Sequence, residues 1–476
     1  MNKTLTNGGS VCYSHSLDNA LEFFSKAGSL RDKGKNKKNV KDFYSNREDI
    51  LNLFSKVIED GDVEVAFKLL FWLRDCRSGA GNRSGFRKCL IAITEKYPEI
   101  VSLNIDLIPL YGRYDDLRSL FYTKAHQAAV QCWGKAIQKK DSLACKWADR
   151  SDKPLFAYMQ KYGNLHDIGE FRRWLAEGRK NITERKMCAN QWNEIDYSKV
   201  PSKCMAMNTN AFKKHDEKRF QSYKDALVKG ETKVNAGALF PHDCALTAIN
   251  GDGAIADAQF EALPNFMEGT TENIMCLCDS SGSMDSPISG STRAIHISTA
   301  LSLYCSDRVG KSNPFYRKFM EFESESKLKD WTDKKFSECY KYSVSFFNGA
   351  YGATNIHKAL DTILHFAQMY KATNDQIPSI LLIISDMQFH PSRMGYEDTV
   401  IENCMKKWET AGYKRPKILY WNVMGYAGNL ATKHHENVGL VSGFSPSILK
   451  SVLSGKDFTP VGIMKETLNK YVIKMS

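Results

Sequence analysis

The feature that most constrains this chain is a change of hydrophobic period near residue 271. Before it, apolar residues recur every three or four positions, the spacing of amphipathic helices. The stretch "SNREDILNLFSKVIED" opens with Ser45 and Glu48 in capping-box spacing and sets Ile50, Leu53, Phe54, Val57 and Ile58 on one helical face. Gly61 and Asp62 end that helix and start another, with Val65, Ala66, Leu69, Leu70 and Leu73 as its apolar face. Similar segments follow in "GFRKCLIAITEKYP", "TKAHQAAVQCWGKAIQKK" and "DIGEFRRWLAEGRK". They share no fixed period, which predicts a degenerate stack of helical hairpins.

After residue 271 short apolar runs alternate with helical stretches. Ile274–Cys278, Phe319–Phe322, Ile380–Ile384 and Ile418–Val423 read as strands, with helices at about 292–305, 355–370 and 397–411. Strand–helix alternation predicts an α/β fold with a doubly wound, mainly parallel sheet, and "SILLIIS" has the continuous apolar character of a strand covered on both faces. The expected organisation is a basic all-helical domain over 1–240, a Gly- and Pro-bearing connector over 241–270, and the α/β domain over 271–476.

Charge divides along the same line. Residues 1–250 hold 42 Lys and Arg against 30 Asp and Glu, whereas residues 251–476 hold 24 of each, so the whole net charge of +12 sits in the first half. A basic domain joined to a neutral one points to a polyanionic partner, nucleic acid rather than membrane, because no basic amphipathic anchor stands out. The longest apolar run near the C-terminus, Ile380–Ile384, is far short of the roughly 20 residues that span a bilayer, and "MNKTLTNGGSVCYSHS" lacks a signal-peptide core. An intracellular, cytoplasmic location is therefore expected. The 13 cysteines form no CxxC pair, which argues against a disulfide framework and a thiolate zinc site. Cys276 and Cys278, two apart on a strand, share one core face.

In an open parallel sheet, ligands bind beyond the carboxyl ends of the strands. The segment "IMCLCDSSGSMDS" delivers Asp279, Ser281 and Ser283 there; "LLIIS" is followed by Asp386; and "FNGAYGATN" supplies Thr354 just before a helix. All are oxygen donors, and three are neutral. Such a set suits a hard divalent cation, Mg²⁺ most readily or else Mn²⁺ or Ca²⁺, and leaves it charge to spare for an acidic group from a partner. Asp279-Ser280-Ser281-Gly282-Ser283, Thr354 and Asp386 together resemble the metal-ion-dependent adhesion site of a von Willebrand factor A (vWA) domain. That resemblance implies that Ser281, Ser283 and Thr354 ligate the ion, that Asp279 and Asp386 act largely through water, and that one coordination position stays open. It departs between about 307 and 353, where the strand order is left undecided. A serine-nucleophile reading needs a histidine positioned by an acid. His296, His357 and His390 lie near in sequence, but nothing arranges one against Ser281 or Ser283. No general base accompanies the metal residues, so an enzyme is not expected.

The basic half interleaves cations with rings. "FWLRDCRSGAGNRSGFRK" gathers Arg74, Arg77, Arg83, Arg87 and Lys88 around a Gly-rich turn; "YGRYDDL" presents Arg113 between tyrosines; "CKWADR" sets Lys146 and Arg150 around Trp147; and "AFKKHDEKRF" packs Lys213, Lys214, His215, Lys218 and Arg219 together. Cations beside aromatics suit single-stranded or structured RNA, where phosphates meet charge and unpaired bases stack. "LRDCRSGAGNR", "YGRYDDL" and the long segment from "IDYSKVPSKC" to "NAGALFPHD" resemble domain of unknown function family 2828 over nearly the whole chain, in which a helical region precedes a vWA domain. That arrangement is similar to the Ro autoantigen and its TROVE relatives, which implies a TROVE-like, HEAT-like helical repeat and RNA binding. The expectation is a non-enzymatic Ro-like ribonucleoprotein component; the alternative is a metal-dependent protein-interaction scaffold that does not bind RNA.

Overall fold

The computed structural model describes residues 3–6, 8–31, 49–236, 239–249, 252–289, 292–345, 354–390, 400–426, 428–454 and 457–476. Ser45 and Glu48 lie outside these residues. The helix Ile50–Glu59 opens instead on Asp49, whose carboxylate accepts the Leu51 and Asn52 N–H groups at 2.8 and 3.2 Å. Its buried residues are the five expected from the period: Ile50, Leu53, Phe54, Val57 and Ile58. Next come helices Val63–Arg74, Arg83–Lys96, His126–Gln138, Lys153–Tyr162 and Ile168–Gly178, with shorter turns between them. The helices pack closely where a side chain is absent. A Cβ on Gly134 would stand 2.2 Å from the Tyr158 ring, so helices His126–Gln138 and Lys153–Tyr162 meet at bare backbone.

Helices Ser202–His215 and Glu217–Val228 build a separate small core of Tyr197, Met205, Phe212, Phe220, Tyr223 and Leu227, with Ile255. The 241–270 stretch, expected as a connector, forms helices Pro241–Ile249 and Gly253–Glu261. Two of its breaker residues sit at helix starts: Pro241 occupies the first position, and Gly253 follows the Asp252 cap. Helix Pro241–Ile249 packs on helix Gly253–Glu261 and on helix Ala294–Arg308, which has the sheet on its other side and is buried almost all round.

The strands in chain order are β1 (Lys3–Leu5), β2 (Val11–Tyr13), β3 (Ile274–Asp279), β4 (Pro287–Ser289), β5 (Thr292–Arg293), β6 (Lys318–Phe322), β7 (Ser326–Asp330), β8 (Ile380–Ser385), β9 (Lys417–Asn422) and β10 (Val438–Ser442). Six form one sheet in the order β10-β9-β8-β3-β6-β7, parallel except for the β6–β7 hairpin. The region left undecided, 307–353, thus supplies β6 and an antiparallel edge strand. β7 is charged and largely exposed (Lys327, Lys329, Asp330), which suits an edge. From β3 the chain runs first to β6 on one side and later to β8, β9 and β10 on the other. The reversal falls between β3 and β8, where an open parallel sheet makes a crevice. Cys276 and Cys278 are buried on β3 as the spacing requires, Cys278 Sγ lying 3.7 Å from Ser298 Oγ.

The two halves exchange their ends. Residues 3–30, counted with the helical half by sequence, lie against the sheet: Thr6 Oγ1 donates to the Phe389 carbonyl at 2.7 Å, Ser29 Oγ to the Asn422 carbonyl at 2.5 Å, and Ser442 Oγ to the Phe24 carbonyl at 2.6 Å. Helix Asn19–Ala27 also packs on the first helical hairpin, Phe23 on Phe54 and Phe24 on Trp72. In the other direction Tyr471, fully buried, donates to Asp75 Oδ2 at 3.0 Å, and Asn104 is bonded through both amide atoms to Lys474 backbone groups. No helix among the described residues is long and apolar enough to cross a membrane.

Candidate metal site and basic surface

The register of β3 on β8 pairs Ile274 with Ile380 and Cys278 with Ile384, which sets Asp279, the last residue of β3, beside Ser385, the last of β8. Ser385 Oγ donates to Asp279 Oδ2 at 2.5 Å and the Ser281 N–H donates to Oδ1 at 2.9 Å. A short 3₁₀ turn, Gly282–Asp285, brings the Ser283 hydroxyl to 3.2 Å from that of Ser281. Asp386 Oδ1 accepts the Gln388 N–H at 3.1 Å, while Oδ2 is buried and has no partner among the described residues. Thr354 is buried; its N–H donates to His390 Nδ1 at 2.9 Å and its carbonyl accepts the His390 N–H at 3.2 Å, tying it to the segment that follows β8.

Both aspartates are completely buried. Burial pushes the Asp279 carboxyl up from its ordinary value, and the neighbouring Asp386 charge pushes it further against the Ser281 and Ser385 hydrogen bonds. Burial likewise raises Asp386, with the Ser283 hydroxyl and the Gln388 N–H opposing. Two adjacent desolvated carboxylates, one with an orphan oxygen, are unfavourable unless a proton or cation joins them. Two carboxylates and hydroxyl oxygens at the switch point of the sheet fit a hard divalent ion. Direct contacts join Asp279, Ser281 and Ser283, the Asp279–Asp386 and Ser283–Asp386 interactions add Asp386, and His390 links Thr354 to the same loop. The glycines of "FNGAYGATN" lie outside the described residues. Ser385, Ser298, whose Oγ donates to the Asp279 carbonyl at 3.1 Å, and His390 were not read as part of the site. Only Ser385 had a signal, its position just before the strand-end aspartate.

Two of the three histidines considered as a nucleophile's base have their Nδ1 engaged by a backbone N–H. His390 Nδ1 takes the Thr354 N–H, and His296 Nδ1 takes the Arg293 N–H at 3.3 Å. His357 Nδ1 is buried and without a partner among the described residues.

The structure redistributes the basic clusters. Arg74 is buried, its Nε 2.7 Å from Asp116 Oδ2, and cannot meet a ligand; it was expected on the RNA surface and is instead part of the core. Arg87 bridges Asp115 and Asp116 at 2.9 and 2.7 Å. Arg113 pairs with Asp115 at 2.5 Å and lies 3.5 Å over the Trp147 ring. Lys146 pairs with Glu184 at 2.7 Å, Lys213 with Asp252 at 3.6 Å, and Arg219 with Asp216 at 2.9 Å. Arg77 is exposed and donates to the Leu110 carbonyl at 3.0 Å. His215 stacks on Trp192 with ring centroids 4.7 Å apart, and Lys88 is exposed. Arg83, Arg150 and Lys214 are exposed with no ion pair among the described residues. Burial lowers the proton affinity of Arg83, and the nearby charges of Arg113 and Arg87 lower it further. The structure therefore gathers Arg83, Arg87, Arg113 and Trp147, while the 213–219 cluster forms a separate face.

Comparison with known proteins places two family models end to end. Residues 166–273 match domain of unknown function family DUF2828, and residues 273–471 match another domain of unknown function, DUF7788. The family 2828 resemblance thus holds, confined to 166–273. A curated relative, uncharacterized protein L728 of Acanthamoeba polyphaga mimivirus, is 22% identical over 533 residues, covering 99% of this chain and 88% of its own length. Among solved structures, the Ro (RSR) protein of Deinococcus radiodurans covers 96% of this chain and 100% of its own, at 12% identity and a TM-score of 0.39. A likeness that low carries no functional argument.

Proposed function

We propose that this chain, in which a DUF2828 segment leads into a DUF7788 segment, is a non-enzymatic RNA-binding protein whose sheet half is a vWA-type module for a divalent cation, Mg²⁺ or a close substitute. The helical half would be of the HEAT-like or TROVE-like kind. The observation that carries the reading is the buried oxygen set at the β3–β8 crevice, which includes the Asp386 Oδ2 that has no partner among the described residues. Asp279, Ser281, Ser283, Thr354 and Asp386 would hold the ion. When bound, it would supply positive charge to which an acidic group of a partner could attach. What the chain itself contributes is preorganisation: Ser385 and Ser298 fix Asp279, and His390 fixes Thr354. RNA binding is supported by the confinement of the +12 charge to residues 1–250 and by the grouping of Arg83, Arg87 and Arg113 beside Trp147. A cytoplasmic location fits this reading.

The test has two arms. Calorimetric titration with Mn²⁺ and Mg²⁺ should show one site in the wild type and none in Asp279→Ala or in Ser283→Ala, a change at a half-buried residue outside the apolar core. Unchanged ion binding in both variants would refute the site. RNA retention should weaken steeply as salt rises, because phosphate contacts release counterions. No retention at low salt, or a flat response, would leave the second reading, a metal-dependent scaffold without RNA binding. That reading draws on the ion pairing of Arg74, Arg87, Lys146, Lys213 and Arg219 within the fold.

A further inference from the structure

Arg179 follows helix Ile168–Gly178 and is only 8% exposed, yet its Nε and Nη2 are buried without a hydrogen-bond partner among the described residues. Buried guanidinium groups are ordinarily paired with acids, because an uncompensated buried charge is strongly destabilising. Here the neighbours have the wrong sign. Burial lowers the proton affinity of Arg179, and the charges of Arg185 and Arg150 lower it further. The opposing neighbour is Cys145, whose thiol burial pushes up to about 11, so it is uncharged at neutral pH and offers no countercharge. The carboxylate of Glu184, next to Arg185 in sequence, is held by Lys146 at 2.7 Å. Among the described residues none of the three arginines has an ion pair.

The fold builds this junction. A Cβ on Gly178 would stand 2.4 Å from Cys145 Sγ, so the end of helix Ile168–Gly178 seats directly on helix Ser142–Trp147. Arg150 leaves the end of that second helix. The Ile182 N–H bonds the Arg179 carbonyl at 3.1 Å and turns the chain into helix Thr183–Cys188, which carries Arg185. Arg150 and Arg185, from the two segments on either side, lie near enough for their charges to act on Arg179, whose two N–H donors have no partner among the described residues.

We propose that Arg179, Arg150 and Arg185 form a pocket for a phosphate group, with Arg179 Nε and Nη2 as the bidentate fork. A guanidinium fork matches two phosphate oxygens, and the full charge of three arginines suits the dianion of a phosphate monoester better than the single charge of an internal diester. The ligand is therefore a terminal phosphate, on a nucleic-acid end or on a small phosphorylated molecule. The inference does not depend on the metal site, and the pocket lies outside the clusters assigned to RNA apart from Arg150.

The full-length protein should be tested with a 5′-phosphorylated oligoribonucleotide, the same oligomer bearing a 5′-hydroxyl, and inorganic phosphate. Preference for the phosphorylated oligomer by at least tenfold, abolished in Arg179→Met, identifies a nucleic-acid end. Binding of inorganic phosphate with no preference between oligomers, also abolished in Arg179→Met, identifies a small phosphorylated ligand. Because Arg179→Met removes an unpaired buried charge, the variant should melt no lower than wild type, and inorganic phosphate should raise the melting temperature of wild type alone. Arg185→Gln, on a half-exposed residue, should weaken phosphate binding without altering the unliganded melt. Absence of any phosphate effect in wild type, or an equal effect in Arg179→Met, overturns the proposal. General RNA binding that survives Arg179→Met with its salt dependence intact separates this pocket from the wider basic surface.

Discussion

Replacing Asp116 by alanine should destabilise the helical half severely, and the structure says by how much. Asp116 is fully buried; its Oδ2 accepts Arg74 Nε at 2.7 Å and the Arg113 N–H at 3.0 Å, and its Oδ1 accepts Arg87 Nε at 2.7 Å. The pair is packed so tightly that a Cβ on Gly112 would stand 2.6 Å from Asp116 Oδ2 and 2.7 Å from Arg74 Nε. Water cannot readily replace the lost carboxylate there, so Arg74 would be left as an uncompensated buried cation, a loss of about 3–5 kcal/mol. The unfolding entropy is about 2.1 cal/mol/K per residue, or about 1 kcal/mol/K for the whole chain, so differential scanning calorimetry should show a fall of about 3–5 °C if the chain melts as one unit. If the first ~240 residues melt alone, the entropy is about half and the fall about 6–10 °C. The double variant Arg74→Met, Asp116→Leu should recover most of the loss, since replacing both partners of a buried pair with apolar groups is often neutral. Arg74→Met should leave RNA retention unchanged. A fall below about 1 °C in Asp116→Ala would refute the account of Arg74 as a desolvated core cation.

Three other outcomes can be checked by denaturation. Burial lowers the pKa of His242 to about 4 against partial relief from Asp243, so between pH 6.5 and 4 the unfolded chain binds a proton that the fold does not, and stability falls as pH falls through that window. The full penalty, reached below about pH 4, is about 3 kcal/mol. His242→Phe, whose ring would sit between Phe240 and Phe444, should lose this component, and an unchanged slope from pH 7 to 5 in the variant would count against it. Gly134→Ala, which in an open helix would stabilise by about 1 kcal/mol, should destabilise by about 1–3 kcal/mol through its collision with Tyr158; a gain in urea midpoint would show that the helices can part freely. Tyr471→Phe should cost about 1.5 kcal/mol, the low end for a bond to a charged group, because Asp75 keeps the Ser78 hydroxyl at 2.7 Å.

The site was more legible than the basic surface, for a physical reason. Asp279 and Asp386 are placed by strand ends, and a strand end is visible wherever an apolar run meets a polar residue. The partners of Arg74 and Arg87 are placed by tertiary packing, and Asp116 lies 42 residues from Arg74. A cation bound to a distant acid looks the same in sequence as one facing solvent. Arg179 went unnoticed because its helix reads as an ordinary amphipathic segment, and an absent partner leaves no trace in a sequence. β10 was missed because it is short and contains Gly439, whose missing side chain admits Leu419 and Ile463, each within 2.6 Å of where a Cβ would stand. β7 was missed because an exposed, charged edge lacks the apolar run that reveals a central strand. The helices over 241–261 were hidden because proline and glycine at helix starts look like a linker until their positions relative to the caps are known.

The exchange of ends sets the order in which the protein can be completed on the ribosome. Helix Asn19–Ala27 and the Ser29 that follows it bond to residues 418 and 393 positions later, through Phe24 to Ser442 and Ser29 to Asn422. At about 5–20 residues per second that interval is about 20–80 seconds of synthesis. Phe23 and Phe24 need not remain in water for that time, since Phe54 and Trp72 emerge soon after them and can shelter the helix first. When β10 finally appears, a helix is already waiting where the last strand of the sheet must settle. The strand at greatest risk of pairing with a neighbouring chain is thus the one whose cover was synthesised first.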